Sequence, residues 1–406
     1  MLAMTMLTGW AHFARKFQQY YQHSRLWTPP RIEQREWMFV PFGGAPPLRH
    51  IGFNRIQDVR QFVSTKTMHS CFYSTAYWNK PNEAKMIDKE WQGADLIFDL
   101  DGDHLPGISD NDFPAMIDII QEQAWSLWND FLQPEFGFSE EFLQVTFSGH
   151  RGFHLHYRDP SFHHIDSEAR REMVSHIRGE GVDVAGALAR FTHPDAKGWT
   201  RRLKNGMGDL VDSLVDIDNQ VEHASRELKR LEAGLKAMHE REPLQSQRSA
   251  NSIRKLAQIM NHPEKIRRLK EESKFEVLGQ YQELFLNLLR SDKSIVLGNA
   301  GETDEVVTID VRRQIRWPSS LHGKSGMRVT EFPLSQLDPD SSNRFHPLDE
   351  CYVFSMEQSQ RVEIIKDDIR AKISSQFIDA TRGDVIETSE SGATFLVLKG
   401  WAQQVN

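Results

Sequence analysis

The sequence predicts an α/β protein: a mixed-sheet body interrupted by a helical subdomain. Three observations carry that prediction. Short apolar runs with strand spacing, punctuated by Gly and Pro, dominate the chain up to about Tyr157. From about Arg201 to Arg290 the chain becomes polar, charged and helical, with few turn signals. After Gly298 the β pattern returns. The implied organisation is residues 1–200 as the first part of the body, 201–295 as the helical insertion and 296–406 as the second part. A length of 406 residues suits roughly two to three domains and a sizeable core.

The elements follow in order. Arg15 to Tyr21 reads as an amphipathic helix, broken by Thr28-Pro29-Pro30. Trp37 to Val40 and Leu48 to Phe53 flank Pro41-Phe42-Gly43-Gly44 and predict a hairpin. Ala94 to Asp101 is a compact apolar run carrying acids at its end. Phe113 to Leu132 has helical spacing, with Met116, Ile120, Leu127 and Phe131 on one face. Phe142 to Phe147 and Phe153 to Tyr157 predict two strands around the turn Ser148 to Gly152. In the helical stretch, Ile217, Val221, Ala224, Leu228, Leu231 and Leu235 fit one helix face, in a helical hairpin or a coiled coil. Val306 to Val311 predicts a strand, His322 to Gly326 a turn, and Phe395 to Leu398 part of a final hairpin.

Composition narrows the function classes. Hydrophobic types make up 39% and charged types 26%, which excludes wholesale disorder. No run of about 18 apolar residues exists, so no transmembrane helix is expected. The start lacks the charged n-region of a signal peptide, so the expected location is the cytoplasm, with reduced thiols. Two cysteines, Cys71 and Cys351, exclude a disulfide scaffold and a Cys-rich zinc module. The net charge of 49 − 57 = −8 argues at first sight against nucleic-acid binding.

Asp99-Leu100-Asp101 is the most informative segment. Residues i and i+2 of a strand point to one face, so both carboxylates project together from an apolar strand. Two close like charges repel unless a proton or cation stands between them. A hard divalent cation is the natural solution, and such pairs support two-metal phosphoryl chemistry. The competing reading is a pair of solvated strand-end acids, with Asp103 beyond them in a loop.

Two turns carry phosphate-binding chemistry. Ser148-Gly149-His150-Arg151-Gly152-Phe153-His154 combines a hydroxyl, a guanidinium and an imidazole with glycines that admit a ligand close to the backbone. Arg316-Trp317-Pro318-Ser319-Ser320-Leu321-His322-Gly323-Lys324-Ser325-Gly326 places Arg316, His322 and Lys324 around a constrained turn. Asp310, on the predicted strand before it, offers a third carboxylate. Each turn alone also reads as a solvated basic hairpin.

Taken together, these segments resemble the catalytic small subunit of archaeal and eukaryotic DNA primases. Arg35-Glu36-Trp37 with Arg49-His50-Ile51-Gly52-Phe53 is similar to the family's R-E-F…R-H-x-x-F stretch. Tyr73-Ser74-Thr75-Ala76-Tyr77 is similar to its Y-S-x-A-x-Y motif, and Asp99-Leu100-Asp101 to its paired acids. Ser148 to His154 resembles its S-G-x-R-G-x-H loop, and Asp310 with Pro318 to Gly326 its third acid and P-x-S-L-H-x-K-T-G motif. These matches run from about residue 20 to residue 330, in the family's order.

The resemblance implies a primase (prim) catalytic core that starts short RNA or DNA primers de novo on single-stranded DNA from NTPs or dNTPs. It implies that Asp99, Asp101 and Asp310 hold two Mg²⁺ or Mn²⁺ ions. Arg49, Ser148, Arg151, His154, Arg316, His322 and Lys324 are the implied nucleotide-binding residues. It also implies a heterodimer with a large subunit carrying an iron–sulfur cluster, and association with the nucleoid. Two cysteines cannot ligate such a cluster here, so the partner must supply it. Many relatives carry a zinc knuckle between the acids and the S-G-x-R-G loop; Leu105 to Glu141 holds no cysteine, so no zinc is expected. His150 stands where some relatives have arginine. Rival readings are a metal-dependent nuclease or phosphohydrolase, a repair-type primase-polymerase and a non-catalytic scaffold.

Overall fold

The computed structural model describes residues 2–102, 109–179, 183–189, 198–241, 250–291 and 305–405. The chain divides into two compact units. One comprises Met1–Trp125, Ser139–Glu172 and Ala300–Asn406; the other comprises Ser126–Phe138 and Met173–Asn299. The second unit contains the expected insertion 201–295 and also takes in 126–138 and 173–200. Asp103 lies outside the described residues.

The first unit carries the strands. In chain order they are β1 (Trp37–Pro41), β2 (Leu48–Ile51), β3 (Met68–Ser74), β4 (Ala76–Trp78), β5 (Trp91–Ala94) and β6 (Leu96–Asp101). Then come β7 (Leu143–Phe147), β8 (Gly152–Tyr157), β9 (Gln314–Arg316) and β10 (Thr330–Phe332). The C-terminal strands are β11 (Ser359–Ile364), β12 (Ile369–Ile373), β13 (Gln376–Ala380), β14 (Val385–Ser389) and β15 (Ala402–Gln404). Two four-stranded sheets form, in the orders β2-β1-β3-β9 and β10-β7-β8-β6. Every pairing between these strands is antiparallel, which corrects the expected mixed sheet. The predicted hairpin β1–β2 and the pair β7–β8 are present. Short connections, which only antiparallel neighbours allow, join β1 to β2 and β7 to β8; the other pairs are joined by long connections.

Register decides what faces the gap between these sheets. Asp99 pairs with His154 and His154 with Thr146; Ile97 pairs with His156 and His156 with Gln144. Period-2 alternation therefore puts Ile97, Asp99, Asp101, His154 and His156 on one face. Ile97 on that face joins a core built largely on the other sheet, with Trp37, Phe39, Tyr73, Ile315 and Trp317. The opposite face carries Phe98, Leu100, Val145, Phe147, Phe153 and Leu155, all buried. The helix Phe113–Leu127 buries Met116, Ile117, Ile120 and Ala124, and its buried Gln121 donates to the Phe345 carbonyl (2.9 Å).

The Arg35-Glu36 segment builds a buried ion network. Arg35 Nη2 lies 2.9 Å from Asp95 Oδ2, both fully buried. Its Nη1 donates to the Ser74 and Thr75 carbonyls (2.9 and 2.8 Å), and its guanidinium lies 3.7 Å from the Tyr77 ring centroid. Asp95 also accepts from Tyr77 Oη (2.6 Å) and Arg158 Nε (3.3 Å). Burial alone would raise the Asp95 carboxyl, but Arg35, Arg158 and these hydrogen bonds hold it below its ordinary range. Glu36 sits 3.1 Å from His50 Nδ1 and 3.4 Å from Lys89 Nζ. Both motif residues thus hold β1 to its surroundings rather than face a ligand.

Two expectations about the second half of the chain are corrected. Residues Glu305–Ile309 form a short helix, not a strand. The buried Arg170 side chain reaches the Thr308, Asp95 and Ala94 carbonyls (3.4, 3.0 and 3.0 Å), tying that helix to the start of β6. A β-branched run has strand propensity, but burial and this anchor override it. Residues Glu390–Leu398 are likewise a helix, not a hairpin arm. Ser389 caps it by accepting from the Gly392 N–H (3.1 Å), and Gly400 follows at φ 75. A short apolar run cannot by itself distinguish a buried strand from a buried helix.

The second unit is helical. Its main helices are Gly198–Asp218, Ala224–Arg241, Ala250–Ile259, Pro263–Glu272 and Gln282–Ser291. Leu203, Met207, Leu210 and Leu214 of the first are buried, as are Leu228, Leu231, Ile253, Leu256, Phe285 and Leu288 of the others. The expected single face from Ile217 to Leu235 is two helices, because the chain turns at Gln220 (φ 53). In the basic stretch 248–274, Arg267 pairs with Glu264, Glu271 and Glu272, so its charge is neutralised locally.

Candidate active site

A pocket of about 240 Å³ opens beside the paired acids. Its lining includes Asp99 and Asp101 of β6, Ser148, His150 and Arg151 of the β7–β8 turn, and His154 of β8. From the other sheet come Phe72, Gln314 and Arg316, with His322 from the following turn. The structure brings the acid pair together in one pocket with five of the seven residues expected to bind nucleotide: Ser148, Arg151, His154, Arg316 and His322.

The acids stand under mutual repulsion. Burial and the neighbouring Asp99 push the Asp101 carboxyl up, against the pull of Arg151 and His154. Asp101 Oδ1 is buried without a hydrogen-bond partner and lies 3.4 Å from Arg151 Nε. Asp99 Oδ1 is 3.3 Å from His154 Nε2. His154 Nδ1 is likewise buried without a hydrogen-bond partner. A carboxylate pair with an unsatisfied inward oxygen fits a hard divalent cation.

The turns are shaped by glycine and by a hydroxyl. Ser148 Oγ accepts from the Gly152 and His150 N–H groups (3.0 and 3.4 Å), closing the loop and keeping its own hydrogen for donation. Gly149 has φ 82, and a Cβ there would meet His322 Cβ at 2.9 Å and the Met327 carbonyl at 3.1 Å. Ser325 Oγ donates to the Gly149 carbonyl (2.5 Å), so the two turns are joined directly. His150 stacks on His322, with centroids 4.9 Å apart and planes 12° apart. Burial first, and then neighbouring cations, push both imidazoles well below their ordinary pKa, so both are neutral. The Lys324 N–H donates to His322 Nδ1 (3.1 Å), which leaves Nε2 as the N–H end of that ring. Arg316 lies 4.9 Å from the Phe72 centroid; burial pulls its guanidinium down to about 10 although Asp99 and Asp101 oppose this.

Three expected residues stand elsewhere. Arg49 is exposed on β2 and does not line the pocket. Lys324 is exposed at the His322 turn, near enough to lower His150 and His322. Asp310, which follows the helix Glu305–Ile309, accepts from the Arg312 N–H (2.9 Å) and is absent from the pocket lining. Among the described residues no set of three His, Cys, Asp or Glu side chains forms a metal-binding group.

A lining residue, Gln314, and a residue that touches the lining His150, Lys399, escaped the sequence reading. Gln314 presents both Nε2 and Oε1 buried and without hydrogen-bond partners. Its signal was available in principle, because it lies i−2 from Arg316 and so shares its strand face. Lys399 had no such signal: its Nζ lies 3.1 Å from His150 Nε2, 249 residues away in the chain.

An acid pair between two antiparallel sheets, ringed by guanidinium, imidazole and hydroxyl donors, defines an enzyme of the nucleotidyltransferase type. The family model described as DNA primase small subunit matches residues 98–334, more than half of the chain and all of this pocket's acids and turns. The DNA primase small subunit PriS of Methanothrix thermoacetophila is 32% identical over 96% of this chain and 97% of its own length. Those of Methanocella arvoryzae and Methanococcoides burtonii are 28% and 29% identical, over 97% and 96% of this chain and 98% and 96% of their own. The chain belongs to the DNA primase small subunit family. No helix among the described residues is long and apolar enough to cross a membrane.

Proposed function

We propose that this chain is the catalytic subunit of a DNA primase, joining nucleoside triphosphates into short primers on single-stranded DNA at the pocket between its two four-stranded sheets. One observation carries the reading: Asp99 and Asp101 share a strand face and a pocket with Ser148, Arg151, His154, Arg316 and His322. Carboxylates to hold cations and donors to hold phosphates are the two requirements of nucleotidyl transfer.

Asp99 and Asp101 would hold Mg²⁺ or Mn²⁺, two ions in all, with triphosphate oxygens and water completing the ligand shell. When bound, such ions make a 3′-hydroxyl more acidic and offset charge on the departing pyrophosphate. The chain's own groups do the rest. Arg151 and Arg316 present planar donor forks to phosphate oxygens. Ser148 donates its hydroxyl hydrogen, and the neutral His322 donates from Nε2. Gln314 offers an unpartnered donor and acceptor, suited to a sugar hydroxyl or base edge. Lys324, exposed beside the pocket, fits the outer phosphate.

The chain works beside a large subunit, as a small subunit must, and that partner brings the iron–sulfur cluster. Cys71 and Cys351 are both buried, which leaves no thiol pair available for cluster ligation. The test is primer synthesis on single-stranded DNA with the large subunit present, comparing NTPs with dNTPs and Mg²⁺ with Mn²⁺. Primers from wild type and none from Asp99→Ala or Asp101→Ala support the reading. No primers from wild type, or wild-type yields from both variants, refute it.

A further inference from the structure

The C-terminal helix Glu390–Leu398 ends at Lys399, and that side chain leads back to the pocket. Its ammonium lies 3.1 Å from His150 Nε2, 4.3 Å from the Phe113 ring centroid and 4.6 Å from that of Trp401. His150 in turn lines the acid pocket and stacks on His322. A lysine is strongly hydrated and seldom gives up water without a partner. Here it exchanges water for two ring faces and one imidazole nitrogen, an arrangement that fixes its position closely.

The consequence for His150 is specific. An ammonium has only donors, so Nε2 of the neutral ring must accept from it. The hydrogen of His150 then resides on Nδ1, because the bond at one ring nitrogen sets the state of the other. His150 follows Gly149 and precedes Arg151 in the turn, so a fixed ring also fixes the turn that presents Arg151 and the Ser148 hydroxyl. Without Lys399, the buried imidazole would lose its Nε2 partner and could take either tautomer.

We propose that Lys399 is a positioning residue for triphosphate binding: through His150 it locks the Ser148–Gly152 turn and makes the C-terminal segment part of the nucleotide site. The proposal rests on the nucleotidyl-transfer reading of the pocket. Burial, with Arg151 close by, pulls the lysine down to about 7, so the ammonium that can only donate to His150 is fully populated below that value. A purely architectural alternative exists, in which Lys399 only pins the C-terminal helix against Phe113. The two differ in what they predict for substrate.

The test uses the full chain with its large subunit and three proteins: wild type, Lys399→Met and Lys399→Arg. Methionine keeps the stem packed between Phe113 and Trp401 but removes the donor; arginine restores a donor. Three quantities are read: the nucleoside triphosphate KM and kcat in primer synthesis, the affinity of the chain for a non-hydrolysable nucleoside triphosphate with Mg²⁺, and the melting temperature. The expected result for Lys399→Met is a KM and a dissociation constant raised about tenfold or more, the scale of a lost charge-assisted hydrogen bond. kcat should change less, and Lys399→Arg should recover most of the loss. Unchanged KM and affinity in Lys399→Met overturn the proposal, as does a loss that follows the melting temperature and is not recovered by arginine. If wild type makes no primers, the nucleotidyl-transfer reading fails, while the affinity measurement still decides for or against Lys399.

Discussion

Neutralising Asp95 and neutralising Asp101 should have opposite effects on stability, although the two acids lie six residues apart on one segment. Asp95 is fully buried and receives Arg35, Arg158 and Tyr77. Asp95→Asn keeps the shape of the side chain but leaves two guanidiniums, one fully buried, without their counter-charge. Removing one partner of a buried ion pair costs about 3–5 kcal/mol. At about 2–4 °C per kcal/mol for a unit of this size, the melting temperature should fall by about 6–20 °C. Asp101 has the reverse setting, since burial and Asp99 already disfavour its charge. In metal-free buffer Asp101→Asn should hold or raise the melting temperature. The same variant should lose the stabilisation that Mg²⁺ or Mn²⁺ gives wild type by preferential binding to the folded state. Differential scanning fluorimetry with and without metal measures all of this. A fall of less than about 2 °C in Asp95→Asn, or a metal-free loss in Asp101→Asn as large as that in Asp95→Asn, would refute the assignment of one acid to architecture and the other to chemistry. Acid titration gives an independent check. The Asp95 carboxyl is held below its ordinary range, so its contribution is complete above the unfolded-state value of about 3.9 and is lost as pH falls through the lower folded value. Wild type should therefore lose its stability advantage over Asp95→Asn only in strong acid.

Gly149→Ala should weaken triphosphate binding, because the left-handed backbone costs roughly 1–2 kcal/mol for a residue with a Cβ and the new methyl presses on His322; nucleotide titration would show a raised dissociation constant, and an unchanged value would remove the two-turn contact from the site. Gln314→Leu should raise the nucleotide KM and alter the NTP-to-dNTP preference with little change in melting temperature, since no hydrogen bond within the described residues is lost; steady-state kinetics with both substrate types decide it. The chain alone should bind single-stranded DNA weakly at physiological salt, given a net charge of −8, and gain affinity when the large subunit is added; tight binding by the isolated chain in a salt titration would contradict this.

The charge balance that argued against nucleic acid proved a poor guide to the site. Net charge describes the whole surface, while a site works through local charge. Arg151, Arg316, His154 and His322 gather around one pocket whatever the total.

The sequence by itself determined the chemistry that depends on local spacing. Alternation placed Asp99 and Asp101 on one strand face, and the glycine-bounded turns announced Ser148, Arg151, His154, Arg316 and His322. These signals survive because strand period and turn geometry are set within a few residues. Tertiary structure decided everything that needed a distant partner. It turned the β-branched run at 305–309 and the apolar run at 390–398 into helices, through the Arg170 anchor and the Ser389 cap. It directed Asp310 toward the Arg312 N–H, left Arg49 exposed, and gave Arg35 and Glu36 to a buried ion network. It also brought Lys399 to His150. No local pattern encodes a contact across 249 residues; packing of the C-terminal helix against the body creates it.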